Sequence, residues 1–192
     1  MAEIRTVAVI GAGIAGRRIA HALVLAGYRT VLEDILPASL RKAQAEMRAG
    51  LEQALKQGQV RKAEAEEALA RLVYASTVEE AARQADLVIE AVPDELESKL
   101  EIFTLLDKIC KPQTILASST TSLSITEIAS ITYRRRKCIG MRFTPAGTAM
   151  PQVEIIRGQE TDEDTVAACL EVERKIGGFL AANSRESGGV NC

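Results

Sequence analysis

The first apolar segment of the chain ends abruptly at three closely spaced glycines. Thr6–Ile10 reads TVAVI, and Gly11, Gly13 and Gly16 follow in the spacing G-x-G-x-x-G. A β-branched run that stops at such a motif predicts a strand, a tight turn and the first turn of a helix. Gly11 would permit the turn, Gly13 would let the backbone approach a pyrophosphate, and Gly16 would let the helix pack closely on the strand.

The surroundings of these glycines favour a dinucleotide site over an ordinary turn. The predicted helix begins at the motif, so free N–H groups of Ile14 and Ala15 and the positive end of the helix dipole would face the phosphates. A second predicted strand ends in Glu33 and Asp34. Asp34 lies close to the spacing of about 20 residues at which a carboxylate meets the ribose hydroxyls. Because an acid there repels a 2′-phosphate, we expect NAD as the cofactor; a domain of this type that has lost its ligand is the alternative.

Composition limits the class of protein. At 192 residues and 47% hydrophobic, the chain can build one substantial core, and a net charge of −2 argues against nucleic acid as a partner. No apolar run approaches 18 residues, so we expect neither a membrane span nor a signal peptide and predict a cytoplasmic protein, or one of an organelle matrix if a transit segment was removed. The cysteines show no metal-ligand or disulfide spacing, so we expect no metal site and mostly buried, reduced thiols: Cys110, Cys138, Cys169 and Cys192.

Strand and helix patterns alternate along the chain. Further strands are predicted at 29–32, 72–75, 86–92, 114–117, 138–143 and 153–157, and helices at 14–26, 37–57, 63–72, 78–84, 94–110, 125–129 and 162–176. This alternation predicts an α/β fold with a doubly wound, mostly parallel, Rossmann-like sheet. The helices at 37–57 and 63–72 form a charged helical hairpin insertion at about 38–72, longer than a crossover needs. We therefore expect one domain at 1–182 and a loose C-terminal tail at 183–192.

Three polar features have simple interpretations. The hydroxyl-rich segment 118–124 follows the fifth predicted strand, where ligands of open α/β sheets bind. The basic run 134–137 is most simply a solvated loop, with anion binding as the alternative. His21, the only histidine, lies on the first helix and is predicted to be a surface or boundary residue rather than a catalyst.

Several stretches occur together in a specific order. They are VAVIGAGIAG at 7–16, ADLVIEAV at 85–92 with Lys99, ILAS at 115–118, TSLSITEI at 121–128, GM at 140–141, MP at 150–151 and VEIIRG at 153–158. Together they resemble the NAD-binding domain of the L-3-hydroxyacyl-CoA dehydrogenases, over about residues 4–176. The resemblance implies reversible oxidation of a 3-hydroxyacyl-CoA to the 3-ketoacyl-CoA, with hydride transfer to NAD. The partner would be an acyl-CoA-like small molecule, whose CoA part the hairpin would help to hold.

The resemblance also implies which residues lie along the cofactor and the substrate. Beyond the glycine motif and Asp34, it places five residues at the cofactor: Ala91, Val92, Asp94, Lys99 and Ser119. Ser119 stands where the family has an asparagine, and it can still donate a hydrogen bond. Thr121 stands where the family has a serine that contacts the substrate oxygen, and it keeps the hydroxyl.

The position of the family's general base departs from the pattern. That base is a histidine held by a glutamate; Glu154 occupies the glutamate position, whereas Arg142 replaces the histidine and Pro145 replaces a nearby asparagine. Arginine is always protonated near neutral pH, so Arg142 cannot accept the hydroxyl proton. It could form a bidentate pair with Glu154 or polarise a carbonyl oxygen, and with Glu154 and Thr121 it completes the predicted catalytic set.

Three functions stay open at this point. The first is an NAD-dependent 3-hydroxyacyl-CoA dehydrogenase-like oxidoreductase, which we favour. The second is a catalytically impaired NAD(H)-binding module, and the third is an enzyme whose substrate carboxylate is clamped by Arg142. The family normally continues into a C-terminal helical domain, of which 185–191 is a faint echo. We therefore expect part of the substrate pocket to be absent and a homo-oligomer or partner chain to cover apolar surface at the sheet edge.

Overall fold

The fold is taken from a computed structural model of the chain, which describes residues 3–143 and 153–186, with side chains as far as residue 177. Within these ranges one sheet of seven strands runs through the domain. The strands are β1 (Thr6–Ile10), β2 (Arg29–Glu33), β3 (Leu72–Ala75), β4 (Leu87–Glu90), β5 (Ile115–Ser118), β6 (Cys138–Phe143) and β7 (Val153–Arg157). The predicted strands are confirmed.

The strand order defines a doubly wound sheet. It is β3-β2-β1-β4-β5-β6-β7, with the first six strands parallel and β7 antiparallel to β6. The order reverses between β1 and β4, which creates a crevice beyond their carboxyl ends. Four residues of β4 are all buried because helices cover both faces of a parallel sheet. The Rossmann-like α/β fold predicted from the sequence is confirmed.

Seven α-helices flank the sheet within the described residues. They are α1 (Ile14–Leu25), α2 (Pro37–Lys56), α3 (Lys62–Ala70), α4 (Val78–Ala82), α5 (Leu96–Ile109), α6 (Ile125–Ala129) and α7 (Glu163–Glu186). One apolar layer joins α1, the α2–α3 hairpin and α7 to the side chains of Val7 and Val9, and a second joins α4, α5 and α6 to those of Ala8 and Ile10. The alternation along β1 therefore divides the core into two layers.

Several element bounds differ from the prediction by a few residues, and two of the differences have clear physical reasons. Helix α7 continues beyond the predicted end at 176 to Glu186, so two successive glycines, at about 1 kcal/mol each, do not end a helix already anchored by Val172 and Ile176. The first residues of the predicted tail are therefore helical, and 187–192 lie outside the described residues. Strand β4 ends at Glu90 rather than at 92, because the Glu90 carboxylate, at 2.8 Å, accepts the N–H of Val92 and turns the chain away from the ladder.

The solvated loop predicted for the basic run before β6 holds for Arg135 and Arg136, which are exposed, but not for Arg134. Arg134 is only 12% exposed, and its Nε lies 2.7 Å from Asp107 Oδ1. Its Nη2 donates to the main-chain oxygen of Asp107 at 2.8 Å, and Nη1 donates to that of Lys111, so the guanidinium satisfies carbonyls at the end of α5. Arg135 lies within ion-pair distance of Glu160, and Arg136 lies within ion-pair distance of Asp162.

The cysteines within the described residues are buried free thiols, as expected. Burial raises the pKa of Cys110 and of Cys138 to about 11 and that of Cys169 to about 12, so all three are protonated at neutral pH. Cys192 lies outside the described residues. Over 3–143 and 153–186, no helix is long and apolar enough to cross a membrane, and no group of three or more acidic, histidine or cysteine side chains could hold a metal.

Candidate functional site

The predicted site residues converge on one edge of the sheet. The glycine turn, Asp34, Ala91 and Ser119 each follow the carboxyl end of a parallel strand. Main-chain hydrogen bonds tie these ends together: Ala91 N–H donates to Ile10 O at 2.8 Å, and Ser119 N–H to Glu90 O at 2.9 Å. Carboxyl ends of parallel strands share an edge, so this convergence follows from the topology.

The three glycines of the turn occupy different surroundings. Gly11 has φ +99°, and a Cβ there would lie 3.0 Å from the oxygen of Ala91. A Cβ on Gly16 would lie only 1.8 Å from the oxygen of Gly11, so the helix cannot pack here with any other residue. A Cβ on Gly13 would meet no atom within 4 Å. Two glycines are thus required by the protein itself, while Gly13 borders open space where a ligand can approach the backbone.

The beginning of α1 fits an anionic group. Gly13 is the N-cap of this 12-residue helix, no side chain caps it, and the first turn carries no acid. Backbone N–H groups at a helix N-terminus that lack intrahelical partners attract phosphate, assisted by the helix dipole. The site therefore satisfies the chemical requirements of a pyrophosphate.

The carboxylate of Asp34, which follows β2, is hydrogen-bonded to the glycine turn. Its Oδ2 accepts the N–H of Ala12 at 2.9 Å, and its Oδ1 accepts the N–H of Leu36 at 2.8 Å. A carboxylate offers about four lone-pair positions, so two remain for hydroxyl donors such as those of a ribose. Ribose binding by Asp34 stays a prediction, now with acceptor capacity to support it.

Glu33, the residue before it, is a buried acid to which the sequence assigned no role. Its side chain is 4% exposed. Burial, followed by the charge of Asp34, raises its pKa to about 7, while a hydrogen bond from Gly11 acts in the opposite direction. Two successive acids at a strand end were the available signal, but the alternation of a strand does not reveal which of them is desolvated.

A buried ion pair lies beneath the loop after β4. Lys99 and Glu90 are 1% and 0% exposed, and Lys99 Nζ lies 2.7 Å from Glu90 Oε1. Glu90 Oε2 accepts the hydroxyl of Ser118 at 2.7 Å, and Lys99 also donates to the oxygen of Val92 at 3.3 Å. The ammonium of Lys99 thus points into the loop, and a direct contact with the cofactor stays a prediction. In the sequence, Glu90 is recognisable as the charged residue inside the apolar run 87–92.

Asp94 organises the hydroxyl-rich loop. Its carboxylate accepts the hydroxyl of Thr120 at 2.5 Å and both the hydroxyl and the N–H of Thr121, at 2.8 and 3.1 Å. Although burial alone would raise its pKa, these hydrogen bonds and the charge of Lys99 lower it to about 2. Because Thr121 donates its hydroxyl proton to Asp94, its exposed oxygen is left as an acceptor towards solvent.

Arg142 and Glu154 face each other across β6 and β7. They are register partners, and Arg142 Nη1 lies 3.0 Å from Glu154 Oε2, with the side chains 34% and 60% exposed. Because β7 is antiparallel, its early residue Glu154 reaches the edge formed by the other strand ends. The two side chains pair through a single hydrogen bond from Nη1 rather than as a bidentate pair, and Pro145 lies outside the described residues.

His21 is remote from these groups. It lies on α1, and its Nε2 is buried 3.7 Å from where a Cβ on Gly50 of α2 would stand, with no hydrogen-bond partner among the described residues. Burial lowers its pKa, so the ring is held neutral between two helices. The boundary position predicted for it is confirmed.

A doubly wound sheet, a glycine turn opening a helix at the switch point and an acid after β2 together define a dinucleotide-binding domain. Comparison with known families identifies which one. Residues 6–180 match the family 3-hydroxyacyl-CoA dehydrogenase, NAD binding domain, and the chain belongs to this family. The dinucleotide is accordingly NAD.

Individual relatives are similar over most of this chain. A probable 3-hydroxybutyryl-CoA dehydrogenase of Bacillus subtilis is 37% identical over 175 residues, which are 91% of this chain and 61% of that protein. The crystal structure of 3-hydroxybutyryl-CoA dehydrogenase from Escherichia coli superposes with a TM-score of 0.87 at 32% identity, over 92% of this chain and 37% of that one. For (S)-3-hydroxybutyryl-CoA dehydrogenase from Ralstonia eutropha the TM-score is 0.86 at 34% identity, over 91% and 62%. The chain thus spans about three fifths or less of the length of these relatives.

Proposed function

We propose that this chain is the NAD(H)-binding part of an oxidoreductase that interconverts 3-hydroxyacyl-CoA and 3-ketoacyl-CoA. The observation that carries the proposal is the placement of the glycine turn, the Thr121–Asp94 pair and the Arg142–Glu154 pair along one sheet edge. Relatives of the chain are named as 3-hydroxybutyryl-CoA dehydrogenases, which supports the substrate class. Bound NAD supplies the hydride acceptor.

The residues of this chain take separate roles in the proposal. The turn and the start of α1 bind the pyrophosphate, and Asp34 accepts the ribose hydroxyls. The oxygen of Thr121 accepts a hydrogen bond from the substrate hydroxyl, because its own proton is held by Asp94. Arg142 stabilises negative charge on the substrate oxygen, and since it stays protonated, the released proton passes to water.

A catalytically impaired NAD(H)-binding module is the second candidate. The Arg142–Glu154 ion pair favours it, because a side chain that cannot accept a proton occupies the position of the family's base. The two candidates share cofactor binding and differ only in turnover.

One experiment separates the two candidates. NADH binding is titrated by fluorescence, and NADH oxidation is then followed with acetoacetyl-CoA for the wild type, Arg142→His and a control, Arg136→His, whose side chain is 75% exposed at the opposite edge. The dehydrogenase proposal expects turnover in the wild type and a gain of about 10²- to 10⁴-fold in Arg142→His, the usual contribution of a general base. Arg136→His should match the wild type.

The outcomes have distinct meanings. NADH binding with no turnover in any variant would refute the dehydrogenase proposal for this substrate and favour the binding module. A wild-type chain that does not bind NADH would refute both candidates.

A cytoplasmic location and a homo-oligomer or partner chain are further proposals. Exposed apolar side chains near the cofactor edge support a covering surface: Ile14, Ile35 and Leu36 are 67%, 79% and 59% exposed. Cell fractionation tests the location. A monomer on a sizing column at high concentration would contradict the homo-oligomer.

A further inference from the structure

Arg17 connects the glycine turn to the helical hairpin. It follows Gly16 in the first turn of α1, and its side chain is only 13% exposed. Its Nη1 donates to the oxygen of Ala12 at 2.8 Å, and its Nε lies 2.6 Å from Glu46 Oε2 on α2. The guanidinium is therefore held between a carbonyl of the turn and a carboxylate of the hairpin.

Both the N–H and the carbonyl of Ala12 are hydrogen-bonded to side chains. Its N–H donates to Asp34 Oδ2 at 2.9 Å, while its carbonyl accepts from Arg17. The preceding N–H, of Gly11, donates to the main-chain oxygen of Glu33 at 2.9 Å. Contacts from β2, α1 and α2 thus set the orientation of the turn before any ligand arrives, and such preorganisation reduces the ordering cost of binding.

The contact has more weight than an ordinary surface ion pair. Exposed ion pairs contribute little, whereas hydrogen bonds from a charged donor are roughly twice as strong as neutral ones. Arg17 makes such a bond to a main-chain carbonyl within the turn, and Glu46 determines where its guanidinium lies. The neighbouring Arg18 is exposed and offers a matched control with the same charge at the next position of the helix.

We propose that Arg17 is a positioning residue for cofactor binding. Held by Glu46, it fixes the carbonyl of Ala12 and keeps the glycine turn in the conformation that receives the pyrophosphate of NAD(H). The hairpin thereby supports the cofactor site from α2. This role concerns binding alone and does not require turnover.

Fluorescence titration of the full chain with NADH tests the proposal in Arg17→Met, Glu46→Gln, the double variant and Arg18→Met. Loss of a charge-assisted hydrogen bond predicts a roughly tenfold higher Kd for Arg17→Met. Glu46→Gln should raise the Kd by a smaller factor, and the double variant should resemble Arg17→Met, because Glu46 acts only through Arg17. Arg18→Met should bind as the wild type does.

Four results would overturn the proposal. A Kd for Arg17→Met within twofold of the wild type would show that the contact is irrelevant to binding. An equal effect of Arg18→Met would assign the change to net charge, and multiplying effects in the double variant would make Glu46 independent of Arg17. If Arg17→Met does not fold, the test compares Glu46→Gln with Glu52→Gln, an exposed control on the same helix. Equal Kd values for these two variants would refute the role of Arg17. A wild type that fails to bind NADH instead refutes the cofactor assignment itself.

Discussion

Replacing Lys99 with methionine should destabilise the fold strongly. The substitution keeps most of the buried stem but removes the ammonium that lies 2.7 Å from Glu90, at a position where both side chains are at most 1% exposed. Removing one partner of a buried ion pair costs about 3–5 kcal/mol, because the other charge is left uncompensated. Little of the loss should come from a cavity, since the two side chains have similar volumes.

The hydrogen bonds of Glu90 decide how much of this penalty remains. The Ser118 hydroxyl and the Val92 N–H, both bonded to Glu90, ease the alternative of an unpaired charge. The penalty for Lys99→Met should therefore lie within about 3–5 kcal/mol.

Urea unfolding followed by circular dichroism at pH 7 measures this penalty. The double variant Lys99→Met with Glu90→Gln should recover most of the loss, because a glutamine needs no counter-charge. Lys108→Met, at an exposed position of the same helix, serves as the control. A loss below about 1 kcal/mol would refute the reasoning, because exposed ion pairs already contribute that much.

Three further predictions concern the cofactor edge. Because the pKa of Glu33 is raised to about 7, the stability of the fold should fall as the pH rises from about 4.5 to about 7. Glu33→Gln should remove this fall, which is at most about 3 kcal/mol, when stability is measured by urea unfolding. An unchanged pH profile in the variant would contradict this. Gly16→Ala should abolish NADH binding, because its Cβ would clash with the oxygen of Gly11. Gly13→Ala should keep the thermal midpoint of unfolding but lower the affinity for NADH. Full NADH binding by both variants would count against the assigned turn. Asp34→Ser should raise the Kd for NADH and lower that for NADPH, and parallel changes for the two cofactors would argue against ribose recognition.

Local patterns explain why the strands and most helices could be predicted. Strands buried on both faces read as short apolar runs, and β4 is the clearest example. The α2–α3 hairpin showed its apolar spacing because one face of α2 packs on the core through Met47 and Leu51. The end of α7 was missed because tertiary packing outweighs the low helix propensity of two glycines.

The candidate site could be predicted as a set of strand ends but not as a network. Parallel topology alone places the turn, Asp34, Ala91 and Ser119 at one edge. The register of β6 with β7 places Arg142 opposite Glu154. The surroundings of Lys99 could not be predicted, because its burial depends on how α5 packs beneath the loop after β4.

The sequence by itself determined the fold class and predicted the glycine turn as the cofactor site and Arg142 at the position of the family's base. These features are local in the chain or depend on residue type alone. Only the tertiary structure decided the partners of the charges: Arg17 with Glu46, Lys99 with Glu90 and Arg134 with the end of α5. The physical reason is that burial and pairing of a charge depend on elements brought together by packing, and no periodicity along the chain records that contact.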